Sequence, residues 1–230
     1  MAGHVEREFK LRIPSEAALL SLLARLGGPV APTVVQVNHF FDTATRALRR
    51  ARIALRLRSE TPPNGAAHFA LALKGPVLEE HTSLAARPEE ELGLAEPVAR
   101  ELLSGARSPL ESLRTSSLAR SALFRRTRAL VGDEPLHRLG AFENQRTRVG
   151  PMCFPPGSGG PPLVFELDRT LFPGAIVARE LEVELPPGAE PAQVEHALDR
   201  LLVSLGISPE PAESKAARFF RILDGLEHGA

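Results

Sequence analysis

The sequence predicts an α+β protein in which about eight strands form an antiparallel β-barrel with helices packed outside it. Two observations predict this fold class. Charged and apolar residues alternate in one segment after another, which is the period of a strand with one apolar face. Helical periodicity is confined to a few segments, so the regular strand–helix alternation of a parallel sheet is missing.

The first two elements have clear boundaries. Residues 5–13 alternate, with Phe9 and Leu11 opposite charged side chains, and Pro14 ends this strand. Ser15 is then a suitable N-cap for a helix that Gly27 closes.

The remaining elements follow from the same two periods. Residues 95–124 are predicted to be helical with breaks near Gly105 and Pro109, and two later helices are predicted at 192–205 and 213–226. A Gly- and Pro-rich segment at 150–162 predicts a mobile hairpin loop, and residues 1–230 are predicted to form a single domain. The further strands are predicted at 34–42, 53–58, 68–74, 123–130, 141–149, 163–170 and 178–185.

Composition limits the classes of partner. The 28 basic and 28 acidic residues cancel, which disfavours general nucleic-acid binding. The single cysteine, Cys153, excludes a disulfide within the chain and fits a reducing compartment. The charged first ten residues do not resemble a signal peptide, and no apolar run reaches the length of a membrane span. We therefore predict a cytoplasmic protein with no membrane and no nucleic-acid partner.

The charged faces of the strands are segregated by sign. In a strand, residues i and i+2 point to the same side, about 7 Å apart, so each pair projects two like charges into one space. A single such strand is usually a solvated surface, but six strands sorted by sign favour a barrel with the charges inside. The acidic pairs are Glu6/Glu8, Glu166/Asp168 and Glu180/Glu182, and the basic positions are Arg56/Arg58, Arg146/Arg148 and Lys74.

This arrangement has a chemical interpretation. Neighbouring carboxylates repel one another, and a hard divalent cation such as Mg²⁺ or Mn²⁺ removes that repulsion with oxygen ligands. Arginines and lysines then bind phosphate charge, which is what phosphoryl transfer requires. The phosphate-binding and dinucleotide-binding glycine motifs and any zinc-type Cys/His cluster are missing from the sequence.

Several motifs together resemble the CYTH, or triphosphate tunnel metalloenzyme, family. The opening EREFK is similar to the family's E-x-E-x-K signature, and the further motifs follow in order over nearly the whole chain. They are NHFFDT with Phe41, Asp42 and Thr43, LRLR with Arg56 and Arg58, LALKG with Lys74, ARPEEE with Arg87, Glu89 and Glu91, FENQRTR with Arg146, FELDRT, RELEVE, and SKAARFF with Lys215.

The resemblance implies an eight-stranded triphosphate tunnel, a C-terminal plug helix, and hydrolysis of a triphosphate by an activated water. It implies that Glu6, Glu8, Glu180 and Glu182 bind Mg²⁺ or Mn²⁺. It implies that Lys10, Arg56, Arg58, Lys74, Arg146 and Lys215 bind the triphosphate. Glu6, Glu8, Asp168 and Lys215 are then the candidate catalytic residues, with Asp168 binding a second metal ion or orienting water.

The resemblance leaves several triphosphate substrates possible. Inorganic tripolyphosphate is the first choice, because the chain has no Trp or Tyr to bind the thiazolium of thiamine triphosphate. Thiamine triphosphate hydrolysis, nucleoside triphosphate hydrolysis, adenylate cyclisation and non-catalytic polyphosphate binding remain alternatives. Two arginine-rich segments lack a role: Arg125, Arg126 and Arg128 face either the tunnel or the surface, and Arg49, Arg50 and Arg52 are predicted to be solvated turn residues.

Overall fold

The computed structural model describes residues 5–81, 83–157 and 159–228. Within these ranges, nine strands form one sheet in the order β1-β9-β8-β7-β2-β3-β4-β6-β5. Strand β1 also pairs with β6, so the sheet closes on itself, and the predicted antiparallel β-barrel is confirmed. The strands are β1 (Val5–Arg12), β2 (Val34–Thr43), β3 (Ala54–Thr61), β4 (His68–Lys74), β5 (Glu79–His81), β6 (Leu84–Leu94), β7 (Leu136–Met152), β8 (Leu163–Phe172) and β9 (Ile176–Glu184).

Seven α-helices connect or follow these strands in the described part of the chain. The predicted N-cap of the first helix is confirmed, because the Ser15 hydroxyl accepts a hydrogen bond from the Ala18 amide at 3.1 Å. The helices are α1 (Glu16–Leu26), α2 (Ala47–Arg50), α3 (Glu96–Ser104), α4 (Pro109–Arg114), α5 (Ala122–Val131), α6 (Pro191–Ser204) and α7 (Lys215–His228). None of those within the described ranges combines the length and the apolar character that a bilayer crossing requires.

The chain divides into two compact units. The first consists mainly of Val35–Leu78 and Ala86–Glu143, and the second of Glu6–Val34, Glu79–Ala85 and the chain from Asn144 onward. Strands β6 and β7 contribute to both units. Formation of a single domain by residues 1–230 stays a prediction.

The first unit has a core between its sheet and its helices. Leu55 and Leu57 of β3 and Leu71 and Leu73 of β4 are directly paired and fully buried. They pack with Leu102 of α3 and with residues of α4 and α5 in one apolar cluster. The apolar face of each strand is therefore covered by helices, as the alternation predicts.

The second unit repeats this design with other elements. Phe9 and Leu11 of β1 are paired with Val183 and Leu181 of β9, and all four are buried. They share a cluster with residues of β8, α1 and α6. The alternation of β1, β8 and β9 therefore places the acidic pairs of these strands together with Lys10 on the other face of the sheet, whereas Arg169 and Arg179 lie on the face of α1 and pair with Glu16.

Two element predictions were wrong. Residues 123–130, predicted as a strand, lie in helix α5, which Ser121 caps by accepting the Phe124 amide at 2.9 Å. Leu123, Phe124, Thr127 and Val131 are buried at helical spacing, a pattern that competes with the short apolar run. Strand β6 was not predicted as a strand, because Pro88 and three successive glutamates give it a low strand propensity.

The segment at 150–162 is less irregular than predicted. Strand β7 continues to Met152, and the Phe154 ring packs edge-on against Phe165 with 5.0 Å between centroids. Residue 158, which belongs to the predicted mobile loop, lies outside the described residues. The irregular part of the connection is therefore shorter than the Gly/Pro composition indicates.

A buried carboxylate holds the turn after β2. Asp42 accepts hydrogen bonds from the backbone amides of Thr43, Leu48 and Arg49 at 2.8, 2.9 and 2.9 Å. The Thr43 hydroxyl accepts another from the Ala47 amide at 3.0 Å. The FDT motif therefore caps the short helix α2, and this capping accounts for burial of the Asp42 side chain.

We expect Asp42→Ala to lower the free energy of unfolding by about 3 kcal/mol, because three buried amides lose their acceptor. Equilibrium denaturation in urea measures this loss. Asp133→Ala is the matched control, since Asp133 is exposed, and its unfolding free energy should change by less than about 0.5 kcal/mol. Equal losses in both variants would contradict the capping role.

Candidate active site

Three adjacent strands of the second unit bring acidic residues together. In the pairing of β1, β9 and β8, Lys10 lies opposite Glu182, and Glu182 lies opposite Glu166. One step along, Glu180 lies opposite Asp168. Paired residues point to the same face, so the register itself assembles the predicted carboxylates.

Lys215 is a cation that contacts three acidic residues of this face. It is the first residue of α7, and its Nζ lies 2.8 Å from Asp168 Oδ2, 2.8 Å from Glu180 Oε2 and 2.7 Å from Glu182 Oε1. The Ser214 hydroxyl accepts the Ala217 amide at 3.2 Å and so fixes the start of the helix. The α7 terminus thus inserts one positive charge among three acidic residues.

Arg146 of β7 binds the same carboxylates with its planar guanidinium. Its Nε and Nη2 donate to Asp168 Oδ1 and Oδ2 at 2.8 and 2.6 Å, which is a bidentate ion pair. Its Nη2 also donates to Glu182 Oε2 at 2.5 Å, and its Nη1 contacts Glu166. Asp168 is 0% exposed and has both oxygens engaged, so it orients Arg146 and Lys215.

The first strand completes this network. Lys10 Nζ lies 2.7 Å from Glu182 Oε1 and 3.1 Å from Glu8 Oε1. Glu6 occupies the preceding position on the same side of β1, and Arg148 Nε donates to Glu166 at 2.9 Å. The predicted residues Glu8, Lys10, Arg146, Asp168, Glu180, Glu182 and Lys215 therefore form one ion-pair network, which we call the carboxylate cluster.

Burial and charge act in opposite directions on these groups. Burial raises the pKa of Glu182, but the nearby cations Lys10, Lys215 and Arg146 together lower that pKa well below its usual range. The same balance lowers the pKa of Asp168. Burial also lowers the pKa of Lys215, whereas the three surrounding carboxylates raise it well above its usual value. Glu182, Asp168 and Lys215 are therefore ionised near neutral pH.

These pKa shifts predict how stability depends on pH. A carboxylate with a lowered folded-state pKa stabilises the fold above its unfolded-state pKa and loses that contribution as pH falls through the folded-state value. For Glu182 and Asp168 the loss begins below pH 4.5 and 3.8, their ordinary values. We expect the Tm to change little between pH 6 and 9 and to fall below about pH 4.5. A Tm that rises on acidification would contradict these pKa shifts.

The predicted basic residues of the first unit form a second group. Lys74 Nζ lies 2.7 Å from Glu89 Oε2, and Arg56 Nη2 lies 3.6 Å from Glu89 Oε1. Arg58 Nη2 lies 2.9 Å from Glu91 Oε2. Arg56, Lys74 and Glu89 are between 13% and 15% exposed at the side chain, so this pairing is mostly removed from water. The basic strands are therefore partly neutralised by β6.

Two features were missed in the sequence. Arg218 Nη1 lies 3.4 Å from Glu180 Oε1, and its guanidinium lies 6.0 Å from the centroid of the Phe172 ring. Arg218 could have been found from its i+3 spacing to Lys215, because this spacing puts both cations on one side of α7. The pairing of Lys74 and Arg56 with Glu89 was also missed, because β6 was not predicted as a strand.

Comparison with known proteins decides the family. A model of the CYTH domain matches residues 4–220. The chain belongs to the CYTH domain family. No curated protein sequence is similar enough to match this CYTH domain.

Solved structures resemble this CYTH domain over most of its length. HpAC1 from Hippeastrum is 28% identical, with a TM-score of 0.76, and the match covers 94% of this chain and 95% of that one. HpAC1 is described as a proposed adenylyl cyclase with a dominant triphosphatase activity. A proposed adenylate cyclase from Bacillus halodurans is 23% identical, with a TM-score of 0.66 and coverage of 96% and 100%. Protein PH1819 from Pyrococcus horikoshii is 15% identical, with a TM-score of 0.57 and coverage of 93% and 98%. The last two likenesses concern the fold alone.

Proposed function

We propose that this CYTH domain hydrolyses a triphosphate with the help of a divalent metal ion, and that inorganic tripolyphosphate is its preferred substrate. The observation that carries the proposal is the carboxylate cluster. Asp168 and Glu180 are 0% exposed, and Glu8 and Glu182 are 5% exposed. Replacing buried ion pairs with apolar residues is often neutral or stabilising, so this many buried ionised groups point to function rather than to stability.

The residues fit a hard divalent cation by their chemistry. Their donors are carboxylate oxygens, which Mg²⁺ and Mn²⁺ prefer, and Glu180 Oε1 is buried with no hydrogen-bond partner among the described residues. No three carboxylate, histidine or cysteine side chains in the described ranges form a ready-made metal site. Instead, the negative charge of the carboxylates is neutralised by Lys10, Lys215 and Arg146, and a bound metal ion would take over this neutralisation. Glu6, Glu8, Glu180 and Glu182 remain the proposed ligands of Mg²⁺ or Mn²⁺.

The chemistry divides between the metal ion and the cationic side chains. The bound metal ion would neutralise phosphate charge and help to ionise water. Lys10, Arg146 and Lys215 would bind the phosphate oxygens in the second unit, and Arg56, Arg58 and Lys74 are proposed to bind the same kind of group in the first. Water adds to the terminal phosphorus as the bridging P–O bond breaks, which gives orthophosphate and diphosphate. The water proton passes to solvent or to a carboxylate.

Asp168 has a different proposed role from the candidate ligands. Because Arg146 and Lys215 engage both of its oxygens, we assign it the positioning of these two cations. A water-orienting role would require one of these contacts to open, and it stays a prediction. Glu8, whose carboxylate lies 3.1 Å from Lys10 Nζ, is proposed as a metal ligand instead.

The preference for tripolyphosphate is supported by what surrounds the cations. Phe40 lies opposite Arg56 in the sheet, but it packs against Phe142 with 5.7 Å between ring centroids. Both rings are buried, at 2% and 4% exposure, so neither offers an open face to a base or a thiazolium. The triphosphatase activity described for the 28% identical HpAC1 supports hydrolysis rather than cyclisation as the dominant reaction.

Phosphate release from tripolyphosphate, ATP and thiamine triphosphate tests the substrate proposal. We expect kcat/KM for tripolyphosphate to exceed the other two by about tenfold or more, because the proposed site presents cations for phosphates while the Phe40 and Phe142 rings beside it are buried. The reaction with ATP is also assayed for cyclic AMP. Faster cleavage of either organic substrate, or cyclic AMP as the main product, would contradict tripolyphosphate as the preferred substrate.

A further inference from the structure

Two stretches of this neutral chain carry arginines and no acidic residue. Residues 43–59 contain six arginines and residues 112–132 contain five, with no Asp, Glu or Lys in either. Removing these 11 arginines from the 28 basic residues leaves 17 against 28 acidic residues, a net charge of −11 for the rest of the chain. The overall charge balance therefore conceals a strong local excess of positive charge.

Most of these arginines come together on neighbouring helices of the first unit. Helix α2 packs against α5. Arg50, Arg52, Arg120, Arg125, Arg126 and Arg128 are exposed, and Arg46 and Arg49 are half-buried. We call these eight residues the arginine patch. It excludes Arg114, which pairs with Glu111, and Arg56 and Arg58, which belong to the charged strands.

The six exposed arginines are the uncompensated part of the patch, and Glu134 lies beside it, accepting from the Thr45 hydroxyl at 3.1 Å. Among the described residues, none of the six exposed arginines forms an ion pair with a carboxylate; Arg50 donates instead to the Thr45 hydroxyl at 3.4 Å, and Arg125 to the Arg120 carbonyl at 2.6 Å. Exposed cations at this density repel one another unless an anion lies between them. By contrast, Arg100 of α3 and Arg107 of the following loop are paired with glutamates.

The backbone under the patch is held in an unusual conformation. Arg46 and Arg52, on either side of α2, have φ values of 59° and 57°, in the left-handed region that residues with a side chain seldom adopt. Such strain persists only when surrounding contacts enforce it. The Arg46 and Arg52 amides donate to the Thr43 and Arg49 carbonyls at 3.0 and 2.9 Å, and Asp42 accepts from the Leu48 and Arg49 amides between them. The arginines of this turn are therefore presented from a fixed position rather than from a mobile loop.

The side chains of the patch define the chemistry of its ligand. Arginine binds phosphate oxygens in a bidentate manner and keeps its charge at any physiological pH. Neither helix adds an exposed aromatic or amide side chain that could stack on a base or read its edge, since Phe124 is buried. We propose that the arginine patch binds linear inorganic polyphosphate, in chains far longer than the proposed tripolyphosphate substrate.

Direct binding of long-chain polyphosphate tests this proposal. The titration is followed by calorimetry in EDTA, so it requires no hydrolysis and is independent of the proposed activity. The test variant combines Arg50→Gln, Arg126→Gln and Arg128→Gln, which removes three charges while leaving the Arg125 contact to the backbone. We expect its affinity for polyphosphate to fall about a hundredfold, as three lost charge-assisted contacts imply.

Matched controls make the result decisive. Arg25→Gln with Arg200→Gln removes two exposed arginines from α1 and α6 that pair with no described carboxylate, and it should retain its affinity within about threefold. The triple variant should keep the wild-type Tm and the wild-type rate on tripolyphosphate. Unchanged polyphosphate affinity in the triple variant would overturn the proposal, and so would equally tight binding of a DNA duplex by the wild type.

Discussion

Glu8→Gln is expected to lower kcat/KM for tripolyphosphate by about a thousandfold, which corresponds to roughly 4 kcal/mol of transition-state stabilisation. The substitution keeps the shape of the side chain and removes the negative charge proposed to bind the metal ion. The fold should survive, because Lys10 still pairs with Glu182 at 2.7 Å after its 3.1 Å contact to Glu8 has weakened.

Glu210→Gln is the matched control for this prediction. Glu210 also pairs with a cation of β1, Arg12, at 3.3 Å, but its side chain is 57% exposed. Its kcat/KM should stay within about twofold of the wild type. Full activity in Glu8→Gln, measured with a wild-type Tm, would remove Glu8 from the metal site.

Lys215→Met is expected to have the largest effect on stability, a loss of about 4 kcal/mol at neutral pH. The substitution leaves Asp168, Glu180 and Glu182 without the amine that lies within 2.8 Å of each of them. Because carboxylates without this cation protonate more readily, the difference in Tm from the wild type should shrink as pH is lowered. Thermal melts of the variant and the wild type between pH 5 and 8 measure this difference in Tm.

The same variant tests whether a metal ion and the lysine share the carboxylates. Adding Mg²⁺ should raise the Tm of Lys215→Met more than that of the wild type, because the cation replaces the missing positive charge. Arg221→Met is the control on the same helix, where an exposed pair with Glu213 is lost and the Mg²⁺ response should match the wild type. Equal responses in Lys215→Met and the wild type would contradict this sharing.

The parts of the fold that could be predicted are those governed by strand periodicity. Positions 8 and 10 of β1 and 180 and 182 of β9 alternate with apolar residues, so the pattern alone predicts a charged face. The failure at 123–130 has a physical cause, because a short apolar run is compatible with either element and the Ser121 cap decides for a helix. Position 128 faces solvent for the same reason.

The partners within the site could not be predicted from spacing. Lys215 is separated from Asp168 by 47 positions and from Glu182 by 33, and only the folded sheet and the start of α7 bring them together. For Asp42 the motif is visible in the sequence, but the motif does not predict that the carboxylate caps helix α2. Strand order and register therefore carry the information that local patterns lack.

Metal-dependent release of phosphate from tripolyphosphate tests the central claim most directly. Wild-type protein is assayed with Mg²⁺, with Mn²⁺ and with EDTA, and Glu8→Gln is assayed in parallel. We expect release with at least one of the two metal ions, none with EDTA, and almost none from the variant. Release that persists in EDTA, or no release with either metal ion, would contradict a metal-dependent triphosphatase built on the carboxylate cluster.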